Sequence, residues 1–266
     1  MPAEICSHPW KFHVRPFRIA GGLYYVGNSS VSSHLIDTGE GLILLDSAFP
    51  QTVYLLLESI RRLGFDPDDM AYIVHCHGHY DHFGGTKAIV EVAGAQTFLG
   101  EADREILESR PELSWAPEYG VEFHETFRVD TPLRDGDVVS LGHTSIECVH
   151  TPGHTAGSMS YFFALYEKEQ TYKAGIHGGP GLNTLTDEYL EEYGLPRSRR
   201  ADYMKSLEKL KRRTVDIHLG AHPDQNDTFG KRAVMTEQTN PFIDREAWPR
   251  FLDKLEKAAR SSFETT

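Results

Sequence analysis

The sequence predicts an α/β fold, a layered sandwich with two sheets inside and helices outside. Three observations carry that expectation. Strand-like runs with two-residue alternation open the chain and give way to segments with helical spacing. The second half repeats this order of strands and then helices. No low-complexity linker interrupts the 266 residues, so residues 1–266 read as a single domain, long enough to bury a sizeable core.

Taken in order, Leu23-Tyr24-Tyr25-Val26, Ser33-His34-Leu35-Ile36 and Leu42-Ile43-Leu44-Leu45 read as three strands separated by Gly and Asn turn signals. Asp46-Ser47-Ala48-Phe49 closes this meander. From Pro50 the period changes: Val53, Leu56, Leu57 and Ile60 recur at helical spacing up to Leu63-Gly64, where the glycine suits a C-cap. Ala71-Tyr72-Ile73-Val74 reads as a buried strand that leads into a run of histidines. After Gly84-Gly85, Thr86 to Val92 reads as a short helix. Val138-Val139, Ser145 to Val149 and Met159 to Phe163 are strand-like, and Lys173-Ala174-Gly175 ends another strand. A helix is expected over Arg200 to Arg212, a short strand over Ile217-His218-Leu219, and a final helix over Trp248 to Ala259. The segments 110–120 and 178–194 read as loops.

Charge and composition narrow the partners. With 39 acidic residues against 27 basic ones the net charge is -12, which repels phosphate backbones and speaks against a nucleic-acid partner. The basic helical face made by Lys205, Lys209 and Lys211-Arg212-Arg213 reads as solvated, with phosphate binding as the alternative. No apolar run approaches the ~20 residues of a membrane span. The N-terminus lacks the basic-then-apolar plan of a secretory signal, so a cytoplasmic location is expected. Three cysteines (Cys6, Cys76, Cys148) make no disulfide framework. Nothing in the chain signals an oligomeric state.

Histidine is the exception to this ordinary composition, with 14 copies unevenly spread. Residues 75–82 read HCHGHYDH, placing His75, His77, His79, Asp81 and His82 at the end of a strand. Spacing of two puts His77 and His79 on one side of an extended chain, while Asp81 and His82 reach a second position nearby. Imidazole nitrogens and a carboxylate oxygen are the donors zinc prefers. Burying such a cluster is costly unless a metal organises it. His154, in the rigid turn Thr151-Pro152-Gly153-His154-Thr155, and His222, just past a short apolar strand, are further candidates. Asp46 is placed to hydrogen-bond a ligand histidine or to cap a turn. His75 is either an orienting residue or an ordinary strand-end histidine. Trp115, Tyr119 and Tyr80 are candidates for a cleft wall.

HGHYDHFGG resembles the HxHxDH signature of the metallo-β-lactamase superfamily, and TPGHTAGS resembles its second metal-binding motif. The resemblance runs from PFRIAGGLYYVG through SSHLIDTGEGLILLDSAF to GAHPDQND, roughly residues 16 to 228. It implies a four-layer αββα sandwich with two mixed β-sheets flanked by helices. It also implies two zinc ions per chain, with iron or manganese as alternatives: His77, His79 and His154 at the first, Asp81, His82 and His222 at the second. Within the superfamily the chain looks most like the third subclass of class B β-lactamases. Lactonases and glyoxalase II use an additional bridging aspartate after the second motif, but here the stretch from Tyr172 to Pro180 holds no acid and none follows until Asp187, and no cysteine ligand lies there either. Third-subclass enzymes place serines in the loop after that motif to grip the substrate carboxylate. This chain has GIHGGPGLNT, so His177, Asn183 and Thr184 are the substrate-binding candidates by position.

The implied activity is hydrolysis of a small molecule, in which metal-activated hydroxide attacks a cyclic amide or ester carbonyl and Asp81 accepts a hydrogen from the water. β-Lactam hydrolysis leads. A lactonase or other ester or thioester hydrolase is the alternative, followed by a phosphodiesterase or RNase, and then by a redox or binding role with iron.

Overall fold

Two sheets meet face to face, and each carries helices on its outer side. The computed structural model describes residues 2–123 and 125–264. The first sheet holds β1 (Phe17–Ala20), β2 (Leu23–Tyr25), β3 (His34–Asp37), β4 (Leu42–Leu45), β5 (Met70–Val74), β6 (Gln96–Gly100) and β7 (Thr131–Leu133), side by side in chain order. β1 to β4 form an antiparallel meander, and β4 to β7 run parallel. The switch is a matter of connections. Tight turns join the first strands, whereas the helices Val53–Arg62 and Thr86–Ala93 supply the crossovers that parallel neighbours need.

The second sheet holds β8 (Val138–Leu141), β9 (Thr144–His150), β10 (Met159–Glu167), β11 (Gln170–Ile176) and β12 (Ile217–Leu219), in the spatial order β12-β11-β10-β9-β8. β8 to β11 are antiparallel; β12 pairs parallel with β11 after the helix Ser198–Lys211. Both sheets are therefore mixed.

Strand alternation sorts side chains between layers. In β4, Ile43 and Leu45 point into the space between the sheets, where they join Tyr25, Ile36 and Val74 against Ile146, Cys148, Tyr161, Phe163 and Leu219. Leu42 and Leu44 point the other way, onto Leu56, Ile60 and Ile89 of the outer helices. On the far side, Val149 and Phe162 pack beneath Tyr203, Leu207, Leu210, Trp248 and Leu252, from the helices Ser198–Lys211 and Ala247–Glu264. The four layers follow the expected helix–sheet–sheet–helix order.

Most expected elements lie within a few residues of their observed limits. β10 and β11 extend as a long hairpin beyond the segments read from sequence, and the last helix runs on to Glu264. The 110–120 segment holds two short 3-10 turns, and 178–194 carries the helix Asp187–Glu192. Among the described residues, no helix is long and apolar enough to cross a membrane. The lysines of the basic helical face are paired: Lys209 with Asp135 at 2.6 Å and Lys211 with both Asp253 and Glu256 at 2.5 Å. Such exposed pairs contribute little stability, but they take up the charge a phosphate would need.

Candidate metal centre and active-site cleft

The histidine run begins where β5 ends. His77 lies in the loop after the strand, His79 caps the short helix Tyr80–Phe83, and Asp81 and His82 sit on that helix. His154 comes from the turn between β9 and β10, and His222 from the loop after β12. The six side chains thus arrive from both sheets at one end of the sandwich.

They assemble as two triads. The ligand atoms of His77, His79 and His154 all lie within 4.8 Å of one another, and so do those of Asp81, His82 and His222. The triads adjoin: the His77 and His82 rings are 4.1 Å apart between centroids. His154 Nε2 lies 3.1 Å from His79 Nδ1, and Asp81 Oδ2 lies 3.5 Å from His82 Nε2 and 3.6 Å from His222 Nε2.

Second partners fix the ring orientations. A carbonyl oxygen only accepts, so each ring nitrogen facing one must carry the proton. His77 Nδ1–H donates to the Gly178 carbonyl (2.7 Å), His154 Nδ1–H to Gly181 (3.0 Å) and His222 Nδ1–H to Ser30 (2.9 Å). His82 Nδ1–H donates to the Asp46 carboxylate (2.8 Å). All four imidazoles therefore present Nε2 lone pairs to the cluster, as metal ligands oriented from behind do. Close packing keeps the first carbonyl in place: a Cβ on Gly178 would stand 1.9 Å from the Met159 carbonyl oxygen.

The donor set fits zinc on two grounds. Five imidazole nitrogens and a carboxylate oxygen are its borderline ligands. In addition, His77 Nε2 and His82 Nε2 are buried with no hydrogen-bond partner among the described residues, an arrangement that costs free energy unless a cation accepts the lone pair. Burial, aided by neighbouring imidazoles, holds His77 and His79 well below the ordinary histidine range and lowers His154 to about 3, so all three stay neutral. Burial also disfavours charge on His82, but Asp81 and Asp46 outweigh it and raise that ring.

Asp46 and Asp103 form the scaffold beneath. Asp46, at φ +59°, ends β4 in a left-handed turn that an aspartate tolerates better than most residues. Its other oxygen accepts the Cys76 N–H at 2.7 Å, so one carboxylate grips both ends of the histidine run. Asp103 is fully buried. It accepts from Gly78 N–H (2.8 Å), between two ligand histidines, and from Thr155 Oγ1 (2.6 Å) and Gly157 N–H (2.6 Å) in the turn that carries His154. It ties the two ligand loops of the first triad together.

The triads open into a cleft walled by Trp115, Tyr119, Asn183 and Gln225. Trp115 is held at φ +65°, costly for so bulky a residue, with its ring 5.8 Å from His79 and 5.2 Å from Tyr189.

The family model of the metallo-beta-lactamase superfamily matches residues 26–166, more than half of the chain. The protein belongs to this superfamily. Among solved structures it is similar to the FEZ-1 metallo-beta-lactamase of Legionella gormanii, 30 % identical with a TM-score of 0.86 over 96 % of this chain and 97 % of that one. It is also similar to the class B3 di-zinc metallo-beta-lactamase LRA-12 from an Alaskan soil metagenome, 27 % identical with a TM-score of 0.83 over 96 % of each chain. An N-acyl homoserine lactonase of a Bacillus species is 24 % identical over 184 residues, 60 % of this chain. The match spans 64 % of that lactonase's length.

Within this superfamily framework the remaining candidates separate. Asn183 lines the cleft, but Thr184 is buried, its hydroxyl 2.6 Å from the His154 carbonyl oxygen. His177 is also buried: its Nδ1 lies 3.3 Å from Ser160 Oγ and its ring faces Tyr203, away from the cleft wall. His75 is a satisfied core histidine, with ring nitrogens 2.7 Å from the Phe98 carbonyl oxygen and 2.6 Å from Thr86 Oγ1. Trp115 and Tyr119 line the cleft as expected, while Tyr80 is buried and bonded to Gln51. Asp103 gave no signal in the sequence: its partners lie 25 to 54 positions away and form no local pattern.

Proposed function

We propose that the protein is a dinuclear zinc hydrolase of cyclic amides or esters, with β-lactam hydrolysis its leading activity. His77, His79 and His154 hold one ion, and Asp81, His82 and His222 hold the other. The observation that carries this reading is the set of four imidazoles, two in each triad, locked in one tautomer that leaves Nε2 as the free ligand atom. When bound, the zinc pair supplies Lewis acidity towards a carbonyl oxygen and makes water nucleophilic near neutral pH.

The chain's own groups do the rest. Asp81 faces the cleft, held between His82 and His222, where its carboxylate accepts a hydrogen from the attacking water and orients it. Trp115 and Tyr119 wall off solvent, which strengthens the electrostatics inside. The Asn183 side-chain amide, on the cleft wall with Gln225, is a donor suited to hold a substrate carbonyl or carboxylate.

A lactonase is the second reading, favoured by the Bacillus relative. The turn after β11 offers the Gly178 and Gly181 carbonyls to His77 and His154, and no carboxylate to bridge the triads. That arrangement supports the β-lactam reading over it. A panel of β-lactams, lactones, thioesters and phosphodiesters, run with and without chelator, tests both. Chelator-sensitive turnover of a chromogenic cephalosporin is expected, whereas turnover of a lactone alone would replace the first reading by the second.

A further inference from the structure

A second cavity, of about 440 Å³, lies directly behind the cleft and shares His79 and His154 with it. The two spaces also adjoin at the Trp115–Tyr189 ring pair, Trp115 lining the cleft and Tyr189 the cavity. That volume accommodates a substantial substituent. Ile106, Leu113, Pro152 and Leu195 give the cavity apolar walls, and Arg199 gives it a cation.

Arg199 differs from its neighbours on the same turn. Arg197 pairs with Asp187 and Glu191, and Arg200 with Asp187 at 3.0 Å. Arg199 is partly buried and has no carboxylate within ion-pair distance among the described residues; it donates one long hydrogen bond, 3.4 Å, to the His154 carbonyl oxygen. The acids that share the cavity are otherwise engaged or peripheral. Asp103 spends both oxygens on three hydrogen bonds from neutral donors and acts on Arg199 only through its field, Asp202 faces Lys205 at 3.6 Å, and Glu105 is exposed. Arg110 is already paired with Glu112. Asp103 attracts Arg199 across the cavity without touching it, so the planar guanidinium fork makes no carboxylate contact and stays open to a ligand carboxylate, whose geometry it matches.

We infer that this cavity receives the acyl substituent of the substrate, and that Arg199 selects substituents ending in a carboxylate. The inference rests on the hydrolase reading for which end of the substrate lies at His79 and His154, and it deepens that reading by naming the substrate class: amides or esters whose acyl chain carries a distal acid. Arg199 is then a specificity residue lying beyond the reacting atoms.

Calorimetric binding to the zinc-replete full-length protein tests it, using glutaric acid monoanilide and its primary carboxamide analogue as probes. The acid is expected to bind about 10- to 100-fold tighter than the carboxamide, the range of a charge-assisted contact. Arg199→Gln is expected to erase that preference and Arg199→Lys to keep part of it. Equal binding of the two probes to the unaltered protein overturns the inference, and so does a preference that survives in Arg199→Gln, which would place the carboxylate on the metals. Binding is measured without turnover, so an inactive hydrolysis panel would count against the function above and leave this result standing.

Discussion

Replacing Asp103 with alanine isolates the residue that joins the two ligand loops. The carboxylate satisfies three buried donors, but Thr155 Oγ1 retains a second partner, Ser158 Oγ at 2.7 Å. The variant therefore strands two backbone donors, Gly78 N–H and Gly157 N–H. Each stranded buried donor costs about 1–3 kcal/mol. Against this, burial raises the Asp103 carboxyl despite the hydrogen bonds it receives, so removing the charge recovers some desolvation cost. A net loss of about 2–4 kcal/mol lowers the melting temperature by about 4–16 °C for a chain of this size. Calorimetry in excess chelator measures this without any contribution from bound metal, and a repeat with zinc reads the effect on the site. Zinc affinity of the first triad should fall about 10- to 100-fold, as when outer partners of metal ligands are removed. A chelated melting temperature within about 2 °C of the unaltered protein would refute the reasoning, because two open buried donors cannot cost so little.

Other perturbations separate the parts of the site. His77→Ala should lose one of two bound zinc ions and the chelator-sensitive hydrolysis; metal analysis showing two ions retained would sink the ligand assignment. Asp46→Ala should weaken the second zinc about 10- to 100-fold by freeing the His82 ring, which metal titration under competing chelator will show. Acid should destabilise the fold through His34 and His218, which burial lowers to about 4 and about 3. Below about pH 6.5 the unfolded chain binds protons that these folded rings refuse, so stability falls by roughly 1.4 kcal/mol per group for each pH unit lost, down to their folded values. Urea unfolding of the chelated protein at several pH values checks this, and His218→Phe should flatten the slope by one group's share.

What the sequence made legible follows from how far each signal reaches along the chain. β4 was readable to the residue because its Leu-Ile-Leu-Leu run, bounded by Gly41 and Asp46, is both its own pattern and its own burial. β6 and β7 escaped notice. One ends in a glycine and the other is three residues long and contains Pro132, and their places are fixed by pairing with β5 and with each other. The metal motif was legible for the reason β4 was: four of six ligands fall within six residues. His75 and His177 show the limit. Both lie near the motifs, but their rings are held in the interior by Thr86, Phe98 and Ser160, and no local spacing distinguishes them from His77.

The partners that orient the ligands are mostly backbone carbonyls, and this ties the site to the closure of the sandwich. Gly178 and Gly181 belong to the turn after β11, and Ser30 to the loop between β2 and β3. His222, from the second sheet, is thus oriented by a loop of the first, while His77, from the first sheet, is oriented by a turn of the second. Neither triad has its geometry until both sheets have packed, whatever the residues of its own motif. Zinc that binds the closed sandwich and not the open chain must stabilise the packing of the two sheets in proportion to its affinity. Ions held by these two triads would therefore fasten the two sheets together at one end, where hydrophobic packing gives way to polar loops.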